Sequence, residues 1–261
     1  MAAPRLLVSN EGPVRLLLLN RPESKNSLDT ELVSELGSAL DAARRDPGVR
    51  AIVLSGEGGA FSSGVDLRSA ASDIGNPERL AARLDGFHAL IHAITGADQP
   101  VIAAVDGPAV GFGCDLALAC DLRLASTAAY FQEKFVSIGL MPDGGGTFHL
   151  PRLIGLGRAL EALLLGERLD AQRAEALGLV SRVLEPDELR DEALALARRL
   201  AEGPPRALAA IKHAARASLE TSLAQALDRE RQGQLALLAT EDAREGVTAF
   251  LQRRPPVFSG R

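Results

Sequence analysis

The sequence predicts an α/β protein built from stacked β and α units, followed by a helical C-terminal part. Three observations carry that expectation. A buried-type strand, a glycine-rich loop and a helix occur at Ala51 to Leu67 (AIVLSGEGGAFSSGVDL) and return fifty residues on, at Val101 to Leu116 (VIAAVDGPAVGFGCDL). After Pro151 strand signals nearly vanish and amphipathic helices take over. At 261 residues, with 46% hydrophobic and 24% charged, the chain fits one large globular domain or a main domain with an appendage.

In order along the chain, Val14 to Leu19 is a short apolar run ending at Asn20, Arg21 and Pro22, which reads as a strand meeting a turn. Leu32, Leu36, Leu40 and Ala43 then repeat at helical spacing. Asp29 and Glu31 favour the positive end of that helix, and Pro47 with Gly48 stops it. His88 and His92 lie four apart on another helix, and a third short strand is expected at Leu122 to Ala125. In the last third, Leu179 to Leu184 is the one strand signal. Helices are expected at Asp170 to Leu177, Asp187 to Leu200, Pro205 to Ser218 and from Thr221 onward. Gly178 caps the first, and Pro204 and Pro205 open the third. Their leucine and alanine stripes cover either their own core or a neighbouring subunit.

Charge and composition narrow the function. A net charge of -5 and a pI near 5.5 give no electrostatic footprint for nucleic acid. The N-terminus MAAPRLLVSN has no apolar signal region, and no window approaches the ~18 apolar residues that cross a bilayer, so a cytoplasmic protein without a membrane anchor is expected. Cys114 and Cys120, the only cysteines, read as small buried hydrophobes.

Most short motifs fail on chemistry. Gly111 and Gly113 supply two positions of a dinucleotide fingerprint, but Leu116 stands where a third glycine is wanted. Pro142 to Thr147 is glycine-rich like a phosphate loop but lacks its lysine. His88 and His92 have no third ligand, so no metal site is expected. Ser62 and Ser63 have no histidine evidently coupled to either and read as turn residues. GFGCDLALACD, Gly111 to Asp121, is different. A helix starting near Gly113 presents free N–H groups and a positive dipole end, and its apolar body, Leu116 to Cys120, should be buried. Asp115 either complements that dipole or works beside a bound anion. Ser63, Gly64 and Val65 could supply a second N–H from the first repeat, and two such donors make an oxyanion hole.

At these residues the chain resembles the crotonase superfamily, the enoyl-CoA hydratases and isomerases. The resemblance rests on NRPESKNSL (20 to 28), AFSSGVDL (60 to 67), PVIAAVDGPAVGFGCDLALACDLRLAS (100 to 126), GLMPDGGGTFHLPRLIG (139 to 155) and EALGLVSRV (175 to 183), and so covers nearly the whole chain. It implies a spiral of ββα units over residues 1–195, a helical oligomerisation region over 196–261 forming a trimer or dimer of trimers, and acyl-CoA thioester substrates. No metal or redox cofactor is implied, coenzyme A arriving as part of the substrate. By position, the N–H groups of Val65 and Phe112 hold the thioester oxygen, Phe112 replacing the glycine or alanine usual there. Lys25 and the loop Ala60, Ser62, Ser63, Gly64, Val65, Asp66, Leu67, with Gly113, would contact coenzyme A; for Lys25, a solvated surface position is the alternative. Acyl specificity is expected between Ser69 and Phe87.

The carboxylates divide the possible reactions. Asp115 matches the first of two hydratase glutamates, whereas the second falls at Phe135, leaving hydration without an evident proton donor. Glu133, two residues earlier, is read as pointing to the other face. Asp143 matches the single carboxylate of the enoyl-CoA isomerases, and Asp115 with Asp143 matches two of the three acids of the dienoyl-CoA isomerases. The isomerase of aerobic phenylacetate degradation is similar across Phe131 to Gly155. The leading expectation is therefore a double-bond isomerase with Asp143 as base and Asp115 assisting. The alternatives are a hydratase using Asp115, a dienoyl-CoA isomerase and a non-catalytic CoA-binding homologue.

Overall fold

The computed structural model describes residues 3–73 and 75–261; Met1 and Ala2 of the N-terminal reading, and Ile74 of the specificity segment, lie outside them. The chain runs β1 (Leu6–Glu11), β2 (Val14–Leu19), a 3-10 turn (Pro22–Ser24), α1 (Thr30–Arg45), β3 (Ala51–Gly56), α2 (Leu67–Ala70), α3 (Pro77–Thr95), β4 (Val101–Val105), β5 (Pro108–Val110), α4 (Phe112–Ala119), β6 (Leu122–Ser126) and β7 (Tyr130–Gln132). After a further 3-10 turn at Ala71–Asp73, a third (Lys134–Ile138) precedes α5 (Gly146–Ile154), α6 (Leu156–Leu165), β8 (Leu169–Asp170), α7 (Ala171–Ala176), β9 (Arg182–Leu184) and α8 (Leu189–Ala201). Helices α9 (Pro205–Ser218), α10 (Leu223–Leu238) and α11 (Glu241–Gln252) complete it.

Two sheets organise these elements. The larger has the order β1-β2-β3-β4-β6-β9, with β1 antiparallel to β2 and the remaining neighbours parallel; the smaller has the order β5-β7-β8. Each unit gives one strand to each sheet: β4 and β6 enter the large sheet, β5 and β7 the small one. In the first unit Ser62, bridged in parallel to Ala109 of β5, takes the second strand's place after β3. The repeat's stacked units are thus the ββα spiral that the resemblance implies.

Side-chain alternation explains why the central strands are apolar on both faces. Leu17, Leu19, Ile52, Leu54, Val101 and Ala103 join a core with α1, α3 and α4, whereas Leu16, Leu18, Ala51, Val53, Ile102 and Ala104 pack on the other face against Leu189, Ala193, Leu194 and Ala197 of α8. Helix α8 thus runs through position 195/196 while lying on the sheet. Helix α9 is tied down by charge instead: Asp121 accepts from Lys212 at 2.7 Å and from Arg216 at 2.8 Å, and also receives the Val101 N–H at 2.8 Å. No helix is long and apolar enough to cross a membrane among the described residues.

Candidate active site

The site grows from the two glycine loops. Gly64 has φ +87°, and a Cβ there would lie 2.5 Å from the Val110 carbonyl oxygen and 3.5 Å from the Phe112 nitrogen. Only a glycine lets the first loop approach the start of α4 so closely. Gly113 repeats the device, because a Cβ on it would meet Ser62 at 2.7 Å. The buried Ser62 hydroxyl donates to the Asn26 carbonyl at 2.8 Å and accepts the Gly64 N–H at 3.1 Å, so it is the turn residue expected. Leu28 brackets Val65 by accepting from Asp66 and donating to the Gly64 carbonyl. Among the described residues, no acceptor faces the N–H of Val65 or Phe112. Two free amides are therefore held on adjoining loops, one of them at the start of α4.

The remaining loop positions play different parts. Ala60 is buried and its carbonyl accepts from Asn26 at 2.6 Å; Ser63 donates its N–H to the Lys25 carbonyl at 2.8 Å and its hydroxyl to the Ser24 carbonyl at 2.9 Å. Asp66 caps α2 and pairs with Arg21 at 3.0 Å, while Leu67 is exposed. Lys25 is exposed beside this loop. Phe112 stacks on Phe87, an end of the expected specificity segment, with ring centroids 4.2 Å apart.

Three carboxyl groups gather beside the first turn of α4. Asp115 is wholly buried in the first turn of α4, and its Oδ2 accepts the Gly144 N–H at 2.9 Å from the turn before α5. Burial, followed by the nearby charge of Asp143, pushes its carboxyl up to about 7. Asp143 is partly buried, with Oδ1 shielded and without a hydrogen-bond partner; burial lifts it to about 6. Gly144, the next residue, packs against Phe112, since a Cβ on it would meet that ring at 2.6 Å.

The third group, Glu133, corrects a sequence expectation. It does not turn to the other face. It is 3% exposed, and burial followed by the Asp115 charge drives its carboxyl well above the ordinary range. Residues two apart on an extended strand share a face, so the expectation misapplied the alternation, and Glu133 in any case leads into the 3-10 turn Lys134–Ile138. Phe135, in that turn, is buried with its ring 3.7 Å from the point a Cβ on Gly111 would occupy. The signal that could have found Glu133 is a carboxylate beside a buried-type strand, next to a helix already carrying Asp115.

Two of the other titratable candidates border these carboxyl groups, His88 acting by charge on Asp143 and the Cys114 thiol lying beside Glu133. His88 and His92 are exposed, Cys114 and Cys120 are buried free thiols, and no group of three or more His, Cys, Asp or Glu could hold a metal ion among the described residues. A groove of about 710 Å³ between α1 and α3, lined by Ser34, Gly37, Gly86 and His92 among others, contains none of the three carboxyl groups.

Comparison with known proteins identifies the family. A family model described as enoyl-CoA hydratase/isomerase matches residues 9–261. The 2,3-dehydroadipyl-CoA hydratase of Escherichia coli K12 is 41% identical over 98% of this chain and 99% of its own. The 1,2-epoxyphenylacetyl-CoA isomerase of the same organism is 38% identical, covering 96% and 97%. The crystal structure of an enoyl-CoA hydratase from Bacillus anthracis superimposes with a TM-score of 0.95 at 33% identity, over 99% of this chain and 100% of that one. The chain belongs to the enoyl-CoA hydratase/isomerase family and is an enzyme of crotonase type.

Proposed function

We propose that this enzyme moves a double bond in an acyl-CoA thioester through a dienolate, with Asp143 as the base. The observation that carries the reading is the environment of Asp143. It is the least enclosed of the three carboxyl groups, its Oδ1 has no hydrogen-bond partner, and burial raises it to about 6, where a carboxylate is a competent base near neutral pH. The Val65 and Phe112 amides receive the thioester oxygen, each such donor being worth about 2.7–4 kcal/mol to the charged intermediate. Asp143 takes a proton from one carbon of the enolate system and returns it to another, so a single acid suffices. Asp115, fully enclosed and engaged by Gly144, orients the turn. The loop Ala60 to Leu67, Lys25 and Gly113 contact coenzyme A, and no metal or redox cofactor takes part.

A second reading, hydration of a 2-enoyl thioester through Asp115, is favoured by one observation: Glu133 lies close enough to supply the second carboxyl group that Phe135 lacks. Separate assays of a 3-enoyl-CoA and a 2-enoyl-CoA with wild type, Asp143→Ala and Asp115→Ala decide between them. The isomerase reading expects Asp143→Ala to abolish isomerisation. Isomerisation surviving that change, with hydration lost in Asp115→Ala, reverses the assignment. We further propose that residues 196–261 form the oligomerisation region of a cytoplasmic trimer or dimer of trimers, supported by the exposed apolar residues of α10 and α11.

A further inference from the structure

Glu133 is not used by the isomerase reaction as written, yet its surroundings are unusual. Neither carboxyl oxygen is reached by solvent, and no nitrogen or hydroxyl donor faces either of them among the described residues; the neighbouring polar groups are the Cys114 thiol and the Asp115 carboxyl, both on α4. An ionised carboxylate in such a place would be a buried charge without a counter-charge, which is strongly unfavourable. Asp115 has the complementary problem. Its Oδ2 is satisfied by Gly144, but Oδ1 lacks a geometric partner. Both loose ends point into the same small space. A Cβ on Gly146 would lie 2.5 Å from Asp115 Oδ1 and 2.8 Å from Glu133 Oε1, so this glycine leaves room for the two carboxyl groups to meet. Two carboxyl oxygens facing one another, both shielded from solvent, require a proton between them.

We propose that Glu133 keeps its proton and donates it as a hydrogen bond to Asp115, so that the pair carries one negative charge and holds the turn that presents Asp143. Glu133 is thus a positioning residue acting through Asp115, an inference that rests on Asp143 being the base. The order of acidities agrees, since burial and then Asp115 lift Glu133 well above its ordinary range while Asp115 reaches only about 7. The titratable groups facing Glu133 are Cys114 and Asp115 on α4 and Asp143 on the turn before α5. The Cys114 thiol, itself pushed up by burial and by these acids, stays neutral.

The test compares Glu133→Gln and Glu133→Leu in the full-length protein. Glutamine keeps a neutral donor of the same shape. It is expected to lower kcat only severalfold and to leave the acid limb of the pH–rate profile within about 0.3 pH unit of wild type. Leucine removes the donor. It is expected to lower kcat roughly tenfold or more with little change in KM. It should also move the limb to lower pH, because Asp115 then takes the proton itself and the negative charge beside Asp143 is lost. If glutamine shifts the limb as far as leucine does, or if neither shifts it, the proposal is wrong. Should the leucine variant fail to fold, infrared difference spectra at about pH 7 decide without it: wild type must show a neutral carboxyl C=O band that the glutamine variant lacks, and its absence overturns the proposal. This spectrum needs no substrate. It therefore separates failure of the proton-sharing pair from failure of the isomerase reading, for which 3-enoyl-CoA turnover is the measure.

Discussion

Asp143 carries a carboxyl group with an ordinary value of 3.8, lifted to about 6 mainly by burial. A base must be ionised to accept a proton, so kcat/KM should fall as pH drops through about 6 and level off above it. The stability effect has the opposite sign. A raised value means the folded state holds the proton more tightly than the unfolded chain, so its stabilising contribution is full below 3.8 and is lost as pH rises through about 6. Asp143→Asn should therefore reduce turnover by roughly 10²–10⁴-fold. The same variant should gain in melting temperature over wild type as the buffer moves from about pH 4 to about pH 7. A pH–rate profile and a pair of melting series check both signs. A variant that loses activity and shows no pH-dependent gain would place Asp143 outside the buried environment described.

Among elements, the approach of the first loop to α4 is the most demanding contact. Gly64 combines φ +87° with a Cβ position 2.5 Å from the Val110 oxygen. Gly64→Ala should cost about 1–3 kcal/mol in denaturant unfolding. By parting the two free amides, it should also lower kcat/KM by roughly 10²-fold. How far such elements were legible follows from their physics. Helix α1 was read from its apolar period, with Asp29, the cap in the structure, placed in its first turn, and β2, β3, β4 and β6 were read from apolar runs, because long periodic or fully buried segments dominate their own signal. β1 was not, since LLVSNE turns polar halfway and lies at the sheet edge. Nor were α5 and α6, whose starts are crowded with Gly144, Gly145, Gly146, Gly155 and Gly157. The glycine loops and Asp115 were recognisable from composition and repetition. Glu133 was assigned the wrong direction because a period of two places residues 133 and 135 on one face, not on opposite ones, and the 3-10 turn that follows ends the extended segment there.

For the whole molecule, the distribution of apolar surface is uneven. Leu227, Leu235, Val247, Phe250 and Leu251 of α10 and α11 are exposed, Phe250 by 81%, whereas α4 is buried from end to end. An apolar surface of this kind fits the proposed subunit contact. Light scattering should find a trimer or hexamer, and Phe250→Asp with Leu251→Asp should shift the population toward smaller species; a wild-type monomer at micromolar concentration contradicts the assembly. The two free amides also give the molecule a built-in reporter. Most backbone N–H groups around α4 are locked in helix or sheet and trade hydrogen for deuterium only when the structure opens. Those of Val65 and Phe112 have no such lock, so their deuterium uptake follows how readily water enters the cleft. A thioester carbonyl seated there would slow these two positions and few others, and the isotope pattern of two peptides would then measure occupancy in solution without any turnover.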